Sequence, residues 1–450
     1  MDTFYTALAK SLKDHAGKNA LTFIKEDGSR EVFSYGRLDE LSSRAANYLV
    51  EWGLKRSRPA ILYVPKSIQF VIYYLAIQKV GAIAVPLNPT FVKSEMSYYL
   101  ADTDARLIVT GGEQYAIVNE INPNLVNINV GDGDMKEASC AFKNSPADPI
   151  EPGVERDSPS LIIYTSGTTG TPKGAVISQN NLVHDAKNVI GIWGINEKDV
   201  LLHALPLFHV HGLGFALHTA LLTGAHVLMT ETFNAGKVIE LLADSRRPDA
   251  CTIFMAVPSM YVKLMDCLED KKLNFKHVRL FTSGSAPLLE SHFAKIRDVF
   301  GKEPVEREGM TETGMNFSNP LNGTRKPGSI GLPLPGLKVR IVDPDTGEEV
   351  KQGQVGELWL KSPSIISRYW NKPDETQNAF KDGWFKTGDL GRVERGGALA
   401  KTGGGSTFLQ CLQSHLYASE SGPLAGRDGH DGLGPRSVLA SGEGDAAVQV

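Results

Sequence analysis

From Tyr35 to Thr110, helix-patterned and strand-patterned segments alternate, which leaves the chain few architectures. Tyr35 to Glu51 carries Leu38, Leu41, Ala45 and Leu49 at helical spacing, and predicts a helix. Arg58 to Val64 is a largely apolar run closed by Pro65, and predicts a strand. Ser67 to Lys79 predicts a helix, Ala82 to Pro86 a strand, Ser94 to Thr103 a helix and Arg106 to Thr110 a strand. This βαβα order argues for an α/β fold, a parallel sheet covered by helices. Residues 160–300 repeat the style, with strands expected near 161–164, 226–229, 251–256 and 278–282. From 328 to 362 the pattern changes to short strands and turns, among them Leu337 to Val342 and Gly356 to Leu360. That predicts a small β-rich subdomain.

A chain of 450 residues divides naturally into two or three units. The expected division is 1–327, an α/β core, then 328–393, the β-rich subdomain, then a tail over 394–450. Residues 396–450 hold 12 glycines, one lysine and no isoleucine or asparagine. Such a segment buries little apolar surface, so disorder is expected there.

Residues 164–174 read Tyr-Thr-Ser-Gly-Thr-Thr-Gly-Thr-Pro-Lys-Gly, between the apolar runs Leu161-Ile162-Ile163 and Ala175-Val176-Ile177. Glycine lets backbone N–H groups converge on an anion. The hydroxyls of Thr165, Ser166, Thr168 and Thr169 add donors beside Gly167 and Gly170, and Lys173 adds a mobile positive charge. Such a loop suits the polyphosphate of a nucleotide. It is not the G-x-x-x-x-G-K-[ST] pattern, because Gly174 follows Lys173.

Four further segments carry candidate chemistry. Thr282-Ser283-Gly284-Ser285-Ala286-Pro287 follows a predicted strand, and its small residues leave backbone open to a flat ligand. Arg307-Glu308-Gly309-Met310-Thr311-Glu312 ends in a hydroxyl and a carboxylate, a pair suited to phosphate and Mg²⁺. His203 to Gly212 places His209 and His211 around one apolar residue, without a third metal ligand nearby. Thr387-Gly388-Asp389 offers a carboxylate able to accept both bonds of a vicinal diol.

In that order, over about 390 of 450 residues, these segments resemble the adenylate-forming enzymes, and most of all the malonyl-CoA synthetases. The resemblance implies an adenylation domain of stacked, mainly parallel sheets, and an acid–CoA ligase using ATP, Mg²⁺ and coenzyme A. It implies that the 165–173 loop grips the phosphates, that Ser283 to Pro287 lines the adenine, and that Thr311 contacts the α-phosphate. It gives Glu312 to Mg²⁺, Asp389 to the ribose hydroxyls, and His209 and His211 to the acyl pocket. The family's Tyr that stacks on adenine is Glu308 here. Arg307 precedes that element, and a pocket for a fatty tail would not readily bury a guanidinium. A second carboxylate on the substrate would pair with it, so malonate or a similar diacid is the expected substrate. Alternatives are a short- or medium-chain acyl-CoA synthetase, or an inactive nucleotide-binding remnant. The family's hinge and catalytic lysine have no match after Val393, which predicts impaired thioester formation.

The net charge of -4 gives no sign of a nucleic-acid partner. Cysteines at 140, 251, 267 and 411 lack paired or metal-ligand spacing, which fits a reducing compartment. The N-terminus lacks a signal-peptide core, and the most apolar stretch, Phe70 to Val85, is broken by Gln78, Lys79 and Gly81. No membrane span and a cytoplasmic location are therefore expected. Oligomeric state is not legible.

Overall fold

Helix Ile68–Val80 dictates the layering. It is apolar on nearly every side, and each of its residues is buried. A helix without a polar face needs protein all around it, so it must run inside the molecule between layers. Ser67 caps its start by accepting the Phe70 N–H at 3.2 Å, and Gly81 ends it in the left-handed region. Near its end Gln78 Nε2 donates to Ser160 O at 3.1 Å and Lys79 Nζ to Ser43 Oγ at 2.8 Å. Burial favours such pairing, though Gln69 and the Tyr73 hydroxyl of the same helix have no hydrogen-bond partner among the described residues.

The computed structural model describes residues 2–131, 141–165, 171–268, 271–393 and 399–404. Among them lie three sheets. The six-stranded sheet runs Val126–Asn129, Leu107–Thr110, Pro59–Tyr63, Ile83–Pro86, Pro159–Thr165, Lys173–Ser178. Its first five strands are parallel, and the last pair is an antiparallel hairpin. The nine-stranded sheet runs Leu332–Pro333, Gly314–Ser318, Val305–Met310, Leu280–Ser283, Ile253–Ala256, Val200–His203, His226–Thr230, Asn19–Ile24, Arg30–Ser34. It is parallel in the middle and antiparallel at both ends. The helices supply the apolar faces between and around these sheets, and most buried side chains form one core.

The third sheet joins Lys338–Val342, Gly356–Lys361, Trp384–Val393 and Phe380–Lys381, with Leu399–Gly404 added to Trp384–Val393. Leu358, Leu360 and Leu399 of this sheet pack with Phe317 of the large sheet. That apolar cluster joins the two bodies.

The mixed α/β architecture and the helix Tyr35–Glu51 stand as the sequence predicts. Two strands lie close to the expected C-terminal boundaries. Leu332 and Pro333 pair with Ser318 and Phe317, so the first strand past the expected boundary at 328 extends the large sheet. The expected unstructured tail from 394 is interrupted by Leu399–Gly404, paired antiparallel with Trp384–Val393. A glycine-rich strand on a sheet edge is held by its backbone, and side-chain periodicity cannot reveal it. Residues 405–450 lie outside the described residues. Within the described residues no helix is long and apolar enough to cross a membrane.

Candidate active site

The hairpin Pro159–Thr165 and Lys173–Ser178 sets Thr165 directly opposite Lys173. Of the hydroxyl loop, Ser166, Gly167, Thr168, Thr169 and Gly170 lie outside the described residues. Thr165 Oγ1 donates to Glu312 Oε1 at 3.2 Å, and the Tyr369 hydroxyl donates to the same oxygen at 3.0 Å. Lys173 Nζ stands 5.6 Å from the centre of the Tyr369 ring, a cation–π contact. The segment before Asn371 is drawn onto the hairpin by backbone bonds, Trp370 N–H to Gly174 O at 2.7 Å and Val176 N–H to Arg368 O at 3.2 Å. Ile366 N–H reaches Glu312 O at 2.8 Å.

Glu312 is buried. Burial raises its carboxyl above the usual range, against its own N–H, the two hydroxyls and the Lys173 charge. Within the described residues no group of three His, Cys, Asp or Glu side chains could cage a metal. A single carboxylate beside a phosphate loop fits Mg²⁺, which keeps waters and leans on substrate phosphates.

Arg307 forms the second centre. Its strand, Val305–Met310, turns the side chain inward, and only 3% of it is exposed. The guanidinium lies 4.9 Å from the centre of the Phe215 ring. Its Nη2 donates to Ser285 Oγ at 3.3 Å, and Ser285 Oγ also meets His211 Nδ1 at 3.2 Å. Nε and Nη1 have no hydrogen-bond partner among the described residues. Burial lowers the Arg307 pKa to about 10, with Glu308 and Asp185 opposing that fall. The same burial, and then Arg307 itself, hold His211 well below the ordinary histidine range.

Local backbone makes this centre possible. A Cβ on Gly284 would fall 2.6 Å from Arg307 Nε, so only glycine leaves room for the guanidinium. Ser285 follows at φ 66°, in the left-handed region uncommon for serine, and this turn presents its hydroxyl to Arg307. Phe215 comes from His211–His218, a π-helical turn of the kind often found at functional sites. A Cβ on Gly212 would stand 2.0 Å from Pro206 O, so the turn can pack this closely only with glycine there.

The remaining predicted residues surround these two centres. Thr311 is buried with no hydrogen-bond partner for its hydroxyl among the described residues, and Ser283 likewise. Ala286 is half-buried and Pro287 exposed. His209 packs at a tilt against Phe208, at 4.4 Å between ring centres, and lines a separate cavity. Glu308 Oε2 accepts from Asn316 Nδ2 at 3.1 Å. Asp389 is buried on Trp384–Val393, its N–H bound to Thr387 Oγ1 at 3.0 Å, on the sheet that docks through Phe317.

Sequence reasoning missed Tyr369, Phe215 and Asp185. Asp185 Oδ1 accepts the Met315 N–H at 2.8 Å, just behind the turn that carries Thr311 and Glu312. Tyr369 and Phe215 sit in apolar or aromatic runs without a motif, and only tertiary contacts reveal them. Asp185 carried a signal: an acidic residue among the apolar positions of a helix.

A profile of the family described as AMP-binding enzyme matches residues 8–370. The chain is 35% identical over 397 residues to the mitochondrial malonate–CoA ligase ACSF3 of Mus musculus, covering 79% of this chain and 67% of that one. It is 33% identical to an oxalate–CoA ligase of Arabidopsis thaliana, covering 82% of this chain and 73% of the relative. The crystal structure of ATP-bound MatB from Rhodopseudomonas palustris superposes with a TM-score of 0.82 at 32% identity, covering 89% of this chain and 78% of that one. The chain spans 62% to 67% of the length of the mitochondrial malonate–CoA ligases it matches.

Proposed function

The chain belongs to the AMP-binding enzyme family, and we propose that it is an ATP-dependent acid–CoA ligase that activates a short dicarboxylic acid, with malonate favoured. The observation that carries this reading is Arg307: a buried guanidinium whose Nε and Nη1 have no acceptor among the described residues. Leaving such donors unmade costs about 1–3 kcal/mol. A substrate carrying a second carboxylate removes that cost with charge-assisted bonds. A fatty tail would not. The relatives named for malonate and for oxalate, both diacids, lend support.

The reaction has two steps. One carboxylate of the acid attacks the α-phosphorus of ATP, and pyrophosphate leaves. The thiol of coenzyme A then attacks the acyl adenylate, and AMP leaves. Arg307, with Ser285 and His211 beside it, holds the far carboxylate and so aims the near one. Lys173, Thr165 and the loop from Ser166 to Gly170 take the phosphates, and the unpaired hydroxyl of Thr311 meets the α-phosphate. Glu312 would hold Mg²⁺, which supplies neutralisation of phosphate charge when bound. Ser283 to Pro287 borders the adenine, Asp389 receives the ribose hydroxyls, and His209 borders the reacting carboxylate.

Substituting Arg307 tests the reading. In Arg307→Ala, kcat/KM for malonate-dependent pyrophosphate release should fall by about thirtyfold or more, roughly 2 kcal/mol, while the acetate-dependent rate stays near its starting value. Equal loss with both acids, or no loss with malonate, would contradict Arg307 as the diacid selector.

A further inference from the structure

A small cavity of about 20 Å³ lies behind the turn that carries Thr311 and Glu312. One water needs roughly 10–15 Å³ of such space and about two to four polar partners. The polar side chains lining the cavity are Asp185, Thr311, Asn181, His218 and Ser364. Three of these are engaged elsewhere. Asn181 Nδ2 donates to Pro363 O at 2.8 Å, and its Oδ1 accepts the Ser178 N–H at 2.8 Å. His218 Nε2 meets the Tyr74 hydroxyl at 2.7 Å, and Ser364 Oγ meets His184 Nδ1 at 2.9 Å. Thr311 and Asp185 retain capacity. The Thr311 hydroxyl is buried and has no partner among the described residues. Asp185 Oδ1 takes the Met315 N–H at 2.8 Å, and a carboxylate can accept further bonds. Gly314 lets that carboxylate come so close to the turn: it stands at φ 72°, and a Cβ there would fall 2.5 Å from Asp185 Oδ1.

The direction of the hydrogen bonds is what matters here. A phosphate oxygen only accepts, so Thr311 must donate its single hydroxyl proton to the α-phosphate. The lone pairs of that hydroxyl must then take a bond from another donor. We propose that the cavity is the site of one buried water, which donates one proton to Asp185 and the other to Thr311 Oγ1. The inference rests on the reading above, in which Thr311 meets the α-phosphate. An ionised carboxylate has no proton to give, so Asp185 fixes the direction of the water, and the water fixes that of the hydroxyl. Asp185 is thus a positioning residue. It never touches ATP, yet it leaves Thr311 as a donor already aimed before charge develops on the phosphate.

A double-mutant cycle on the purified full chain tests this, with a high-resolution crystal structure beside it. Pyrophosphate release with ATP, Mg²⁺ and malonate is followed at about pH 8, above the value of about 7 to which burial raises Asp185, so that Asp185 is an anion. Asp185→Asn keeps an acceptor for the Met315 N–H, but its amide can also donate and no longer fixes the water. The proposal expects kcat to fall about tenfold in Asp185→Asn, with KM for ATP and for malonate within about twofold of the wild type. In a Thr311→Ala background, Asp185→Asn should change kcat by less than about twofold, because its effect runs through the missing hydroxyl. The crystal structure should show an ordered water bonded to both Asp185 and Thr311 Oγ1. An unchanged kcat in Asp185→Asn, or an equal fall with and without Thr311, overturns the proposal. So does a cavity whose density holds no water bridging the two side chains. If the wild type releases no pyrophosphate, the adenylation reading fails separately, and the crystal structure decides: a bridging water supports the site, and its absence overturns it.

Discussion

Tyr369 and Asp185 show how single side chains tune the buried charges beside them. The Tyr369 hydroxyl donates to Glu312 Oε1 at 3.0 Å, and Glu312 has few other ways to offset its burial. Tyr369→Phe removes one donor while keeping the ring under Lys173. A loss of about 1 kcal/mol is expected, roughly a fivefold fall in pyrophosphate release, with a higher Mg²⁺ requirement. A Mg²⁺ titration of the two proteins checks it. Asp185 gives a pH signature. Burial raises its pKa from the usual 3.8 to about 7, against the Met315 N–H and the Arg307 charge. The neutral form is therefore favoured by folding. That contribution is fully present below the ordinary carboxylate pKa and is lost as pH rises through about 7. Asp185→Asn stays neutral and can still accept the Met315 N–H. Thermal midpoints of both proteins from pH 5 to 8 should show the wild type losing ground to the variant. A constant difference would contradict a titrating Asp185. Glu306, also raised to about 7, is common to both proteins and cancels in the comparison.

Among the elements, the turn after Leu280–Ser283 is the most exacting. Gly284→Ala would press a methyl group against Arg307. The guanidinium would shift, so KM for malonate should rise about tenfold, while acetate-dependent release and the thermal midpoint change little. An unchanged malonate KM would show that the guanidinium position is not critical. Much of this region was legible in advance. The strands around 161–164 and 278–282, and the small residues after the latter, follow from apolar runs and from glycine's lack of a side chain. Arg307 stood out as a charge where an apolar pocket was expected. The contacts that join these parts were not legible. Tyr369 reaches Glu312 only because residues 366–370 bond to the hairpin, and Phe215 reaches Arg307 only through a π-helical turn. Neither arrangement leaves a period in the sequence. The antiparallel pair Val305–Met310 and Gly314–Ser318 also escaped notice, since its polar residues interrupt the alternation that marks a strand.

At the scale of the molecule, the candidate site gathers pieces from three sheets. The hairpin with Thr165 and Lys173 closes the six-stranded sheet, and Arg307, Thr311 and Glu312 come from one end of the nine-stranded sheet. Asp389 rides on the third sheet, which docks through Phe317, Leu358, Leu360 and Leu399. Such a site is set by how the layers sit against one another. Both faces of Ile68–Val80 are buried to hold the main layers in place. The central claim is that this assembly adenylates a diacid. It is tested most directly by following pyrophosphate release from the purified wild-type chain with ATP and Mg²⁺, offered malonate, acetate or octanoate in parallel. The account predicts release that depends on malonate and exceeds that with either monocarboxylic acid by at least tenfold. Release that is equal with acetate, or greater with octanoate, would contradict it.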